Sequence, residues 1–250
     1  MSTPKTRPVP QSFAANPFCT RFVRPGAIEY RFDVTRGLDS NDRPLEVLVA
    51  AIVRTPYAAI VGPHGTGKST LLESLRPRLG EAYSHLEFVQ LHSPSSSRWQ
   101  VRRRRHIHNR RVVDDAQQGL ASRGSSNESR LLIVDGFEQL SVFARRKILR
   151  VAQGTQQALL VTTHAKLRSF ETVFRTKIQQ RILQQLTDDL LDRASESQRS
   201  ILKSEIQQRD FSSVQNVREF WFEMYDRAAE VEESLGGDDS HVDAGSQSFD

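Results

Sequence analysis

Three short apolar runs, each stopping abruptly at a glycine or a polar residue, give this chain its frame. Residues 58–61, 131–134 and 158–161 are continuously apolar and are followed by Gly62, Asp135 and Thr162. A strand buried on both faces reads this way. Leu86-Glu87-Phe88-Val89-Gln90-Leu91 alternates well enough to predict a further strand over 86–91. Between these runs the apolar spacing becomes helical. Residues 45–54 predict a first amphipathic helix. Leu71, Leu72, Leu75 and Leu79 predict a second, which Pro77 and Gly80 unsettle at its end, and Val112, Val113, Ala116 and Leu120 predict a third. Strands alternating with helices imply an α/β domain.

Beyond His164 the pattern turns helical. Phe170, Val173 and Phe174 fit either a short final strand or the start of a helix. Ile178, Ile182, Leu183, Leu186, Leu190 and Leu191 then form an apolar stripe. A second helix contains Ile201 and Ile206, and a third carries Val214, Val217, Phe220, Trp221, Met224 and Ala228. The expected organisation is a disordered leader over 1–16, an α/β core over 17–175, a small helical lid over 176–233 and an acidic disordered tail over 234–250. In the leader, Pro4, Pro8 and Pro10 stand among polar residues; in the tail, glycine, serine and aspartate predominate.

The chemistry is concentrated at the ends of the apolar runs. Residues 62–69 read Gly-Pro-His-Gly-Thr-Gly-Lys-Ser, a complete G-x-x-x-x-G-K-[ST] loop lying between the first strand and a helix. Gly62, Gly65 and Gly67 allow consecutive backbone N–H groups to face an anion, with Pro63, His64, Thr66 and Thr70 in the same wrapping. Lys68 offers a compact positive charge to terminal phosphates, and Ser69 offers a hydroxyl to Mg²⁺. Asp135, ending the second run, belongs at the carboxyl edge of the sheet, where it can hold the same metal.

These elements resemble the P-loop NTPase superfamily, in the branch that contains AAA+, NACHT-type and ABC ATPases, over about residues 45 to 175. The resemblance implies a three-layer core with a mostly parallel sheet, followed by a small C-terminal helical subdomain. It also implies ATP as ligand, Mg²⁺ as cofactor, and Ser69 and Asp135 as metal ligands. Many AAA+ and ABC enzymes place a catalytic glutamate directly after the metal aspartate. Here that position is Gly136, a pattern closer to the NACHT type, in which further acids follow a few residues on. Glu138 is then either the residue that orients the attacking water or an exposed acid at a helix start. By position Thr162, Thr163 and His164 are candidates to sense the γ-phosphate, or else a helix cap and a surface histidine. No Leu-Ser-Gly-Gly-Gln signature precedes Asp135, which disfavours an ABC transporter ATPase. No Asn-Lys-x-Asp motif marks guanine recognition.

Composition adds one sharp feature. Between Phe88 and Val113 there is no acidic residue, while Arg98, Arg102, Arg103, Arg104, Arg105, Arg110 and Arg111 supply seven positive charges. The whole chain carries only +5, so everything outside this window nets −2. Such a run fits a nucleic-acid surface, a protein or subunit contact that includes an arginine finger, or a solvated helix face. Ser93 to Ser97 and Ser122 to Ser129 read as loops on either side. Near the N-terminus Phe18, Phe22, Tyr30 and Phe32 interleave with Arg21, Arg24 and Arg31. They either anchor a terminal extension to the core or stack on a base.

Cys19 is the single cysteine of the 250 residues, so no internal disulfide forms and a reducing cytoplasm is the simplest location. No apolar run approaches the length of a transmembrane helix. The expected function is a Mg²⁺-dependent ATP-binding protein, a slow ATPase working as a conformational switch or loader, with a homo-oligomer or protein partner. Two alternatives stand beside it: a nucleic-acid-associated ATPase that uses the arginine run, and a scaffold that holds ATP without turnover.

Overall fold

The computed structural model describes residues 16–33, 42–93, 98–123 and 128–238. The expected leader up to residue 15, the loop interiors at 94–97 and 124–127 and the end of the tail from 239 lie outside them. The apolar runs become a five-stranded sheet: β1 Tyr57–Val61, β2 His85–Gln90, β3 Arg130–Asp135, β4 Ala158–Thr163 and β5 Glu171–Arg175. All the pairings are parallel, and the order across the sheet is β2-β3-β4-β1-β5. The undecided segment thus resolves as strand: Val173 and Phe174 lie in β5, which Phe170 immediately precedes.

Period-2 alternation divides the sheet into two cores, as buried parallel strands require. Ala58, Ile60, Leu131, Ile133 and Leu160 face helices α2 (Asp42–Arg54) and α3 (Lys68–Ala82), which follow a short first helix, α1 (Thr20–Val23). Ala59, Val61, Leu132, Val134, Leu159 and Val161 face α4 (Trp99–Ser122) and α5 (Val142–Gly154). The result is a three-layer α/β core, as the sequence predicts. Helix α3 runs straight through Pro77 and Gly80 to Ala82, a correction to the expected early end. Leu71, Leu72, Leu75 and Leu79 are fully buried, each contributing about 1.5–3 kcal/mol. Pro77 and Gly80 lie on the exposed face, so packing outweighs the hydrogen bond that Pro77 cannot donate.

The C-terminal region is helical: α6 Gln180–Leu191, α7 Glu196–Gln207 and α8 Val217–Asp238. Helix α8 continues past residue 234, where the sequence places the start of the tail. Leu183, Leu190, Leu202, Ile206, Phe220, Met224 and Ala228 make a third core, and Phe18 is buried in it, with Phe22, Val23 and Ile28 packed alongside. Tyr30 and Phe32 pack instead against the α2–α3 core and meet Phe174 edge-on. The N-terminal aromatics therefore anchor the extension, tying the helical region to the sheet. Among the described residues no helix is long and apolar enough to cross a membrane.

Candidate functional site

The strand order decides which side chains meet. Because β4 lies between β3 and β1, the loop leaving β1 and the end of β3 converge over the carboxyl end of β4. Val134 pairs with Val161, which sets Asp135 level with Thr162. Thr162 Oγ1 donates to Asp135 Oδ1 at 2.5 Å, and Ser69 Oγ donates to Asp135 Oδ2 at 2.6 Å. Gln90 Nε2 reaches the same Oδ2 at 3.4 Å from β2. Asp135 is only 5% exposed, and its carboxylate is fixed by hydroxyls from both sides.

Lys68 opens α3, and its ammonium curls back to donate to Gly62 O at 2.7 Å and Pro63 O at 2.6 Å. Burial lowers its pKa, while Glu138 and Asp135 pull the other way. The first turn of α3 has no acidic residue, and Gly67 caps it without a side chain, so its N–H groups face the loop unmasked. Thr66 Oγ1 donates to Pro63 O and lies 2.7 Å from Thr176 Oγ1.

Gly136 has φ +83°, a conformation that side chains disfavour, and its N–H donates to Thr162 Oγ1 at 2.8 Å. This turn leads into a 3-10 segment, Phe137–Gln139, that aims Glu138 back at the loop. Glycine after the aspartate thus has a structural cause. Glu138 Oε1 lies 3.0 Å from His164 Nε2, while Oε2 is buried without a hydrogen-bond partner. Arg145 Nη2 donates to Glu138 O at 2.7 Å and holds the turn from α5. The His64 and His164 rings lie 3.6 Å apart, centroid to centroid. Burial lowers the His164 pKa; Glu138 opposes this, and Lys68 and His64 reinforce it. Thr162 and Thr163 belong to β4 and not to a helix cap, and Thr163 Oγ1 turns away to donate to Ala165 O.

A cavity of about 960 Å³ covers this cluster, walled by the loop, the 3-10 turn, the N-terminal segment and the helical region. Ile28 and Tyr30 form one side, and Ile182 and Leu186 another. Three residues of this wall went unremarked as site residues in the sequence: Asn216, Arg218 and Trp221. Asn216 caps the approach to α8, its Oδ1 accepting from Arg218 N at 3.1 Å, and Val217 N donates to Gly65 O at 3.3 Å. Trp221 Nε1 is buried without a partner. An asparagine ahead of a helical apolar stripe signals a helix start, but nothing local announces that this start docks on a loop 150 residues earlier.

No protein-family model and no curated protein matches the sequence. Among solved structures, a C. elegans PCH-2 structure is similar at 14% identity over 80% of this chain and 71% of that one, with a TM-score of 0.42. At that level of likeness, the three-layer architecture rests on the sheet order and packing of the chain itself.

Proposed function

We propose that this chain binds ATP with Mg²⁺ and hydrolyses it slowly, as a conformational switch or loader. The observation that carries the reading is the meeting of Ser69 and Asp135 at 2.6 Å beside Lys68, in the lining of a cavity large enough for a nucleotide. A hydroxyl and a carboxylate are hard oxygen donors, the set that suits Mg²⁺. Ser69 and Asp135 would hold it, and when bound it neutralises charge on the terminal phosphates.

The remaining roles fall to the chain's own residues. Lys68 exchanges two carbonyl acceptors for phosphate oxygens, and the N–H groups of residues 62–69 cradle them. Thr162 keeps the Asp135 carboxylate in place. Glu138 orients water through Oε2, the oxygen left without a partner, because Oε1 is engaged by His164. Arg145 fixes the turn that presents it. The polar wall residue Arg218 supplies a second cation from the helical region. We read residues 17–175 as the nucleotide core and 176–233 as its lid. Contact of Asn216 and Val217 with Gly65 gives ATP a way to favour one lid position over another, through its differential affinity for the two.

Phosphate release from ATP, measured with and without Mg²⁺, tests the reading. Mg²⁺-dependent turnover supports it, binding without turnover leaves the scaffold alternative, and neither binding nor turnover overturns it.

A further inference from the structure

The arginine run fills the front half of one continuous helix, α4, where only Val101 and Arg105 are partly covered ahead of Asn109. From Trp99 to His108 no residue is buried; the first buried side chain is Asn109, whose Nδ2 donates to His92 O at 3.1 Å. His106 Nδ1 donates to Gln139 O at 3.0 Å, a further tether. Ahead of that tether, Arg102, Arg103, Arg104 and Arg105 follow one another at about 100° per residue, so they point around most of the helix. Among the described residues, Arg102, Arg103, Arg104, Arg105 and Arg111 have no acidic partner, while Arg110 pairs with Asp114. Arg103 lies over the ring of Trp99, which is 69% exposed.

This arrangement is unfavourable in isolation. The N-terminal end of a helix carries partial positive charge and favours acids, yet the first turn of α4 has none. Arginines three and four residues apart also repel. A helix meant only for solvation would alternate its charges. A polyanion relieves both penalties, and arginines on all sides serve best where phosphates flank the helix on both sides. A flat acidic protein surface would need only one stripe. A helix 10–12 Å across fits the major groove of B-form DNA, about 12 Å wide, whereas the major groove of A-form RNA is too narrow.

We propose that the arginine segment of α4, from Arg102 to Arg111, docks duplex DNA in the major groove, largely through backbone phosphates. The proposal is independent of nucleotide binding and is tested without nucleotide present. Fluorescence anisotropy with a labelled mixed-sequence duplex should show log affinity falling against log salt with a slope of about −4 to −5 if the five unpaired arginines meet phosphates. Between 50 and 200 mM salt this is a loss of several hundred-fold. Replacing Arg102, Arg103, Arg104 and Arg105 together by alanine should reduce that loss to only a few-fold, about 0.9 of slope disappearing per contact. Alanine favours the helix, and circular dichroism checks that the variant folds. Replacing the same four by lysine should keep most of the slope, since the charge remains. Absence of salt-dependent duplex binding, an unchanged slope in the alanine variant, or single-stranded DNA, duplex RNA or polyglutamate binding as tightly as duplex DNA would each overturn the proposal.

Discussion

The hydroxyl of Ser69 donates to Asp135 Oδ2 at 2.6 Å, joining the first turn of α3 to the end of β3 across 66 positions of sequence. Thr162 closes on the other carboxylate oxygen at 2.5 Å from β4. Helix, buried strand and neighbouring strand therefore fix one anionic group beside the one lysine of the loop. Asp135→Asn removes the charge and turns one acceptor oxygen into a donor that faces a hydroxyl. We expect the variant to lose the Mg²⁺ dependence of nucleotide binding, so that a fluorescent ATP analogue binds equally weakly with Mg²⁺ or EDTA. A Mg²⁺ enhancement equal to that of the wild type would remove Asp135 from the metal site.

Glu138→Gln keeps the side-chain shape and loses the carboxylate. Affinity for ATP should stay within about threefold, while turnover falls by about 10²–10⁴, the range for losing a group that positions or accepts a proton. Phosphate release at the wild-type rate would place the water-orienting group elsewhere.

The His164 imidazole faces Glu138, Lys68 and His64, and burial is the main reason its pKa lies below the ordinary value of 6.5. The neutral ring, with Nε2 at 3.0 Å from Glu138 Oε1, is therefore the form that suits the fold. Below the unfolded value the folded protein binds fewer protons than the unfolded chain, so folding opposes protonation of this ring. The stability it contributes is complete above about pH 6.5 and is lost as pH falls through the lower folded value. Thermal unfolding should show Tm dropping on this acid limb. His164→Gln, which cannot be protonated, should show a shallower one. Identical acid limbs would mean that the ring's protonation is not coupled to folding.

Gly65 has φ +67°, and a Cβ placed there would lie 1.8 Å from Asn216 Oδ1. Gly65→Ala should therefore push α8 off the loop and cost about 1–2 kcal/mol from backbone strain alone, lowering Tm by roughly 2–8 °C for a chain of this size. Adding Asn216→Ala should recover only part of the loss, because it removes the side-chain clash but neither the 3.0 Å approach of the residue 216 Cα nor the strain. A Gly65→Ala protein with unchanged Tm would show that α8 does not rest on the loop.

Much of the core was legible because its signals are local. A continuous apolar run ending at Gly62 or Asp135 specifies a buried strand, and the spacing of Leu71, Leu75 and Leu79 specifies the face of a helix. What escaped depends on pairings far apart in sequence. Alternation says that Thr162 and Thr163 point to opposite faces, but only the register of β3 on β4 says that Thr162 is the one that meets Asp135. Pro77 reads as a helix end until the four leucines around it are known to be fully buried. Asn216, Arg218 and Trp221 join the cavity wall through the docking of α8, which no local pattern records. The arginine run was visible as composition, whereas the lack of any buried residue in α4 ahead of Asn109 was not.

Lys68 carries the central claim, that this loop holds the phosphates of ATP. Its ammonium is held inside the loop by Gly62 O and Pro63 O. Isothermal calorimetry with Mg²⁺–ATP, on wild type and Lys68→Ala shown to be equally folded, measures the claim directly. Losing a charged hydrogen bond worth about 1.5–3 kcal/mol should weaken affinity by about ten- to a hundredfold. Equal affinity in the two proteins, or no heat of binding in the wild type, would contradict it.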